Sequence, residues 1–210
     1  MKNLALRHTL ILWGVFLILV LVTEMGLIST YTNSISAQSS TFAKVETPIL
    51  DKAHELKLAV TQVQQYLQDI SATRGQDGLD SGFTEADNSA RLFRSLLNEL
   101  RDLDRANTQR YQAMEPIFET YYATGQRMAR LYVEQGPSGG NKLMEEFDAA
   151  ADKMLEQVDG FLADTQQRIE HASLEQMASI KVLGIIVFVG FLIFVGVSLI
   201  LGWVFRSVLR

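Results

Sequence analysis

The run Val182–Phe205 constrains this chain more than any other segment, because its 24 residues, VLGIIVFVGFLIFVGVSLILGWVF, include no charged side chain. At 1.5 Å per residue, such a helix crosses a hydrocarbon core of about 30 Å with some tilt. A surface helix of a soluble domain would carry a polar stripe, whereas this run offers only four glycines and Ser198. The pattern predicts a transmembrane helix over residues 181–205.

A second apolar run lies near the N-terminus, behind the basic residues Lys2 and Arg7. It extends from Thr9 to Thr23 and continues past one acid to Ile28, which predicts a first transmembrane helix over residues 9–30. A basic start followed by an apolar run is also typical of a secretory signal peptide. This run is longer than the apolar region of most signal peptides, so an uncleaved span is favoured.

Glu24 is the only acid within these two spans. The helical rise places it about 24 Å from His8, near the outer interface rather than the bilayer centre. The simpler interpretation is a carboxylate that reaches outer water, and the alternative is a functional carboxylate inside the membrane.

The charges of the chain are segregated in a way that sets its orientation. Cations flank the spans at residues 1–8 and 206–210, so the positive-inside rule places both termini in the cytoplasm. Residues 31–180 carry 14 Lys and Arg against 23 Asp and Glu, a net charge of −9. This domain is expected outside, in the periplasm of a Gram-negative cell with the spans in the inner membrane. Its acidity argues against nucleic acid as a partner.

A heptad with alternating steps of four and three runs from Ile35 to Ile70, and its positions are all apolar from Ile49 onward, which predicts a long amphipathic helix. Pro48 should kink this helix or start it afresh, because proline lacks a backbone N–H. The glycine-containing segment 71–83 predicts a loop. It lacks the spacing and lysine of a phosphate-binding loop.

Three further helices follow with the same periodicity. The second ends at a turn near residues 104–108, and the third contains Pro116 and stops at Gly136 and Pro137. The fourth begins near Ser138 and continues into the second span. Short turns make neighbouring helices antiparallel, so we expect an all-α fold: an up-down-up-down antiparallel four-helix bundle extended into two transmembrane helices.

The segments 31–46 and 165–179 are polar and lie where only two helices per chain remain. A lone helical hairpin buries little surface, so we expect a homodimer with a four-helix stalk. The absence of cysteine excludes disulfides and thiolate metal sites.

Two segments carry a resemblance to a known family: ISATRGQDGLDSGFTEA over 70–86 and YYATGQRMARLYVEQGPSGGNKLMEEFDAAADKM over 121–154. With the two spans, they make the whole chain resemble the sensory half of bacterial methyl-accepting chemotaxis receptors. Trp203, Phe205 and Arg206 are similar to the membrane-interface anchor of that family, and the ending RSVLR resembles the entry to a HAMP linker.

The resemblance implies a dimeric receptor that senses a periplasmic small molecule and relays binding through helix four and the second span. Histidine kinases and diguanylate cyclases use similar sensor modules, so the output domain stays open. The methylation helices of the family do not follow Arg210. We therefore expect either a receptor fragment or a short relative whose partner supplies the output.

In this family the membrane-distal end binds small carboxylates, such as amino or organic acids, directly or through a periplasmic binding protein. The resemblance directs attention to three arginines near that end and to two adjacent aromatic residues. Guanidinium groups suit carboxylates because they bind both oxygens. The proposed ligand residues are Arg74, Arg91, Arg94, Tyr121 and Tyr122.

Simpler interpretations exist for the same residues. The paired arginines that the aspartate and serine receptors carry on helix one are not repeated here. The arginines then balance an acidic bundle in solvent, and the tyrosines pack in its core beside Phe118 and Tyr132.

Asp51 and His54 share one helix face, with Glu115 and Glu119 as conceivable partners in a metal site. Helical-bundle metal sites need two such pairs, and a surface histidine is therefore favoured, with no metal and no cofactor. No nucleophile stands with a base in a pattern that indicates an enzyme. The rival function is a membrane-anchored helical-bundle protein that docks a periplasmic protein and transmits no signal.

Overall fold

The computed structural model describes residues 2–76 and 81–208, and throughout these ranges the regular structure is helical with no strand. The all-α prediction is therefore confirmed. The helices, in chain order, are α1 (Lys2–Thr41), a π-helical turn (Phe42–Glu46), α2 (Thr47–Thr73), α3 (Gly82–Leu103), a 3₁₀ turn (Arg105–Asn107), α4 (Thr108–Gln135) and α5 (Pro137–Val208).

The chain divides into two units. One, here called the terminal unit, combines Met1–Thr41 with His171–Arg210. The other, here called the core domain, is Phe42–Glu170. Because α5 is a single helix, its first half belongs to the core domain and its second half to the terminal unit.

The core domain has one hydrophobic core, to which α2, α3, α4 and α5 all contribute. The apolar positions that the periodicity of α2 predicts, from Ile49 to Ile70, are all buried, which confirms that face. Large aromatic rings dominate the remainder. The largest fully buried side chains are Tyr111, Tyr121, Phe93, Phe118, Phe147, Ile49, Leu56, Leu67, Ile70, Leu96, Leu97 and Leu100.

The loop after α2 is shorter than the sequence predicts. The helix continues to Thr73, and the buried Ser71 hydroxyl within it donates to the Leu67 carbonyl at 2.9 Å. Arg74 then adopts a left-handed conformation, with φ of 58°, and its backbone N–H caps the Ile70 carbonyl at 2.7 Å. The following helix begins earlier than expected, at Gly82.

The interruption predicted at Pro48 is present as the π-helical turn directly before α2. Pro48 has no N–H to donate to the helical ladder. The hydroxyl of the neighbouring Thr47 donates to the Phe42 carbonyl at 3.1 Å. Pro116 lies inside α4, which continues through it. The helix stop at Gly136 is confirmed, with φ of 66° at that glycine.

The terminal unit contains the apolar parts of the two helices that are long and apolar enough to cross a membrane. In their most apolar stretches, 0% and 11% of the residues are buried. The core helix of a soluble protein would be mostly buried, and these stretches are instead open. Within this unit, the Gln176 amide donates to the Ser39 hydroxyl at 2.6 Å.

Glu24 and Gly190 are in contact within the terminal unit. A β-carbon on Gly190 would overlap the Glu24 carboxylate. The carboxylate therefore faces the other apolar helix, beside an apolar groove that includes Leu19, Val20 and Val189. Small residues permit such close approach between membrane helices.

Candidate functional site

Arg94 lies where α3 packs against α4. Its Nε donates to Oε1 of Glu119 at 2.7 Å, and its Nη2 donates to Oε2 at 2.9 Å, so the pair is bidentate. The guanidinium carbon also lies 5.7 Å from the ring centroid of Phe118 and 5.5 Å from that of Tyr122. The hydrogen bonds that Arg94 donates to Glu119 raise the pKa of Arg94, so this guanidinium is held as a cation by a carboxylate and two rings.

Tyr122 presents its hydroxyl beside this pair while its ring is buried. The hydroxyl donates to Oδ1 of Asp87 at 3.4 Å and accepts from Nε2 of Gln126 at 2.7 Å. Burial, followed by the nearby Asp87 carboxylate, raises the pKa of the Tyr122 hydroxyl, which therefore stays protonated. Asp87 in turn accepts from Nε of Arg91 at 3.1 Å.

These contacts bring three of the five predicted ligand residues into one group. The group, here called the α3–α4 cluster, consists of Asp87, Arg91, Arg94, Glu119, Tyr122 and Gln126. In it, each arginine is already paired with a carboxylate of the chain itself. A ligand carboxylate could bind the Nε–Nη2 edge of Arg94 only by displacing Glu119.

Arg74 and Tyr121 lie apart from this cluster. Arg74 is exposed at the end of α2, and its guanidinium carbon is 3.3 Å from the position of a β-carbon on Gly136. Tyr121 is fully buried, its ring stacks on Phe147 with centroids 5.4 Å apart, and its hydroxyl donates to the Val60 carbonyl at 2.9 Å. Burial raises the pKa of Tyr121. Its ring and its hydroxyl are both occupied by the core.

The proposed anchor residues Trp203, Phe205 and Arg206 are all exposed on α5. The residues considered for a metal site are separated by ion pairs: Glu115 pairs with Arg101 and Glu119 with Arg94. Within residues 2–76 and 81–208, no group of three His, Asp or Glu side chains is arranged to hold a metal ion.

No family model, curated protein or solved structure matches the chain. The interpretation of the site therefore depends on its own contacts and on the membrane pattern of the sequence.

A second polar group, which the sequence analysis missed, surrounds the Asp104 carboxylate at the turn between α3 and α4. Asp104 is 8% exposed, and it accepts hydrogen bonds from the Tyr111 hydroxyl at 2.8 Å, from the Asn107 amide and from Nη1 of Arg168 at 3.3 Å. Burial raises the pKa of Tyr111, and its hydrogen bond to Asp104 adds to this effect. The only signal in the sequence was an acid at the predicted turn, which is common on protein surfaces.

A polar cavity of about 220 Å³ adjoins this group. It is bordered on one side by the ion pair between Arg110 and Asp164, whose atoms are 2.6 Å apart, and by the Phe161 ring under the Arg110 guanidinium. The remaining walls include Asn107 and Arg168.

Proposed function

We propose that this chain is the ligand-sensing transmembrane module of a receptor of the bacterial chemotaxis type. The observation that carries the proposal is α5, which continues without a break from the aromatic core at Phe147 to the uncharged run that ends at Phe205. A helix of this kind can transmit a change in the core domain along its own axis. The span at its end would deliver that change across a bilayer.

The core domain is proposed to be an up-down-up-down antiparallel four-helix bundle. Ion pairs between neighbouring helices support this arrangement. Between the pairs Arg94–Glu119 and Arg101–Glu115, the residue numbers rise along α3 and fall along α4, as they do in antiparallel helices. The pairs Arg110–Asp164 and Arg127–Glu146 show the same opposition between α4 and α5.

We propose further that the module is a homodimer in the inner membrane, with the core domain in the periplasm and both termini in the cytoplasm. On α5, a stripe of Leu174, Met177 and Ile180 is 51–57% exposed in the single chain. A second copy packed along this stripe would remove it from water. The basic residues beyond both spans support the orientation.

Because the chain has no cysteine, Met177→Cys gives it a unique thiol that tests dimer and orientation together. In intact cells, oxidation is expected to produce a disulfide-linked dimer, and a membrane-impermeant maleimide should label the reduced form. Ser207→Cys is the control: the same reagent should label it only after permeabilisation. A monomer after oxidation would contradict the dimer, and equal labelling of Ser207→Cys in intact cells would contradict the orientation.

The ligand is proposed to be a small carboxylate, an amino or organic acid, that binds the α3–α4 cluster by competing with Glu119 for Arg94. Glu119→Gln removes the competing charge and keeps the shape of the side chain. It should therefore raise the affinity for the ligand by about tenfold, since a charged hydrogen bond contributes about 1.5–3 kcal/mol. Arg94→Met should abolish binding. The measurement is isothermal titration of the full chain in nanodiscs against a panel of amino and organic acids.

Glu115→Gln is the matched control, because Glu115 pairs with Arg101 across the same two helices and lies outside the α3–α4 cluster. This variant should bind as the original chain does. Equal effects of Glu115→Gln and Glu119→Gln would contradict the assigned site. Once a ligand is identified, its binding should change the rate at which Met177→Cys forms the disulfide-linked dimer if α5 relays the signal.

A different function is favoured by one observation: both Arg91 and Arg94 are already neutralised by internal carboxylates. A membrane-anchored bundle that docks a periplasmic protein needs no small-molecule site. The titration above separates the two functions, because a docking protein would bind no acid in the panel and Arg94→Met would leave its partner binding intact.

A further inference from the structure

Arg168 joins three segments of the core domain that are far apart in sequence. It lies on α5, two residues before the end of the core domain. Its Nη1 is 3.3 Å from Oδ2 of Asp104 at the turn between α3 and α4. Its Nη2 is 3.3 Å from Oε2 of Glu46, the last residue of the π-helical turn with which the domain begins.

The two carboxylates depend on Arg168 to different degrees. Asp104 also accepts hydrogen bonds from Asn107 and Tyr111, so it is held in place without the guanidinium. Oε2 of Glu46 is buried and makes no hydrogen bond within the described residues, and the same is true of Nη2 of Arg168. The attraction between these two ions is the contact that offsets their burial.

The hydrogen bonds of a π-helical turn join residues i and i+5, one residue further apart than in an α-helix, and such turns are uncommon and often occur at functional sites. Here the turn precedes Pro48, whose missing N–H weakens the ladder at that point. Converting a π-turn to an α-turn changes the helical phase across it by one residue, about 100°. The alternative conformation of this segment is an α-turn.

We propose that Arg168 is a latch: its ion pair with Glu46 fixes the π-helical turn to α5. The contact of Arg168 with Asp104 persists, and its contact with Glu46 is the one that opens. When the Arg168–Glu46 pair separates, the polar cavity of about 220 Å³ beside Arg168 accommodates the guanidinium, which stays on Asp104. Residues 42–46 then lose their ion pair with α5. The π-helical turn converts to an α-turn, or its backbone hydrogen bonds open. The latch is a property of the core domain and does not require a ligand.

The test compares amide hydrogen exchange in residues 42–46 between the full chain in nanodiscs and its Arg168→Met variant. Methionine keeps the length of the stem and removes the charge. Exchange in residues 42–46 should accelerate by about tenfold or more, because Glu46 loses the one ion-pair partner that it has among the described residues and the pair is only partly screened by solvent. Exchange in the α3 segment 93–100 should change by less than about twofold, which would show that the domain is still folded.

Arg110→Met is the matched control, since it breaks the Arg110–Asp164 pair on the other side of the same cavity without touching Glu46. It should leave exchange in residues 42–46 unchanged. Adding Glu46→Gln to Arg168→Met should restore slow exchange in part, because no unpaired charge remains.

Three results would overturn the latch: unchanged exchange in Arg168→Met, equal acceleration in Arg110→Met, or no rescue by Glu46→Gln. If Arg168→Met does not fold, Arg168→Lys and Glu46→Gln take its place. Lysine keeps the charge but cannot bridge two carboxylates with a fork, so each variant should accelerate exchange in residues 42–46 alone. Acceleration spread evenly over the domain in both would contradict the proposal.

Discussion

Replacing Phe118 with alanine is expected to lower the free energy of unfolding of the core domain by about 3–5 kcal/mol, the usual cost of deleting a buried phenylalanine ring. Phe118 is fully buried on α4. Its ring stacks on Phe93 of α3 with centroids 3.9 Å apart and planes at 11°, and it also stacks on Tyr122 with centroids 6.1 Å apart. The Arg94 guanidinium covers the same ring. Alanine removes all of these contacts at once and leaves a cavity between α3 and α4.

The measurement is a urea titration of the full chain in nanodiscs, followed by hydrogen exchange in α3 and α4 peptides. Leu92→Ala is the control, because Leu92 is 42% exposed and should change stability by no more than about 0.5 kcal/mol. A double variant with Phe93→Ala should lose less than the sum of the single losses, since the two rings share one contact. A Phe118→Ala loss no larger than that of Leu92→Ala would contradict the assigned core.

The core could be predicted from sequence because its positions follow a helical period. Ile49, Ala53, Leu56 and Val60 recur in steps of four and three, and such a face must be buried. The burial of Tyr111 and Asp104 could not be predicted in the same way. The period restarts after the 3₁₀ turn, so Tyr111 falls out of phase with the preceding helix.

Asp104 is buried by partners that only the tertiary fold supplies, and its contact with Arg168 spans 64 residues of sequence. No local pattern distinguishes it from a solvated turn residue. The π-helical turn shows an intermediate case. Pro48 made an interruption predictable, but the sequence does not distinguish a kink, a fresh helix and a π-turn.

The candidate site was predictable in part. Arg91, Arg94 and Tyr122 do lie together, since α3 and α4 are adjacent in sequence and pack against each other. The bidentate pairing of Arg94 with Glu119 depends on the register of α3 against α4, which the sequence does not fix. Tyr121 sits on the periodic apolar face of α4, and that position alone favours the core over a ligand site.

Gly125→Val is expected to destabilise the core domain by about 3 kcal/mol, at the upper end of the cost of overpacking. A β-carbon at Gly125 would lie 2.5 Å from Cε2 of Phe147 and 2.6 Å from Cδ1 of Leu67. Both neighbours are fully buried, and the Phe147 ring is stacked on Tyr121. Moving either side chain aside would therefore disrupt the packing of the core. The two further methyl groups of valine add to the collision that the β-carbon alone creates.

Gly160→Val separates this collision from the effect of valine on helix formation. Gly160 is also inside a helix of the core domain, but it is exposed, and a β-carbon there would meet only a guanidinium nitrogen of Arg110, at 3.9 Å. Glycine and valine differ in helix propensity by a few tenths of a kcal/mol, so Gly160→Val should stay within about 0.5 kcal/mol of the original chain. The urea titration described for Phe118 measures both variants.

A compensating change tests whether the collision with Leu67 is the cause. Leu67→Ala alone should cost about 2–5 kcal/mol, because it leaves a cavity in the core. Combined with Gly125→Val it should cost clearly less than the sum of the two, since valine then fills the space that the leucine vacates. If the two losses of stability are strictly additive, the loss in Gly125→Val comes from the Phe147 contact alone. Equal stability of Gly125→Val and Gly160→Val would contradict the close approach of α2, α4 and α5 at Gly125.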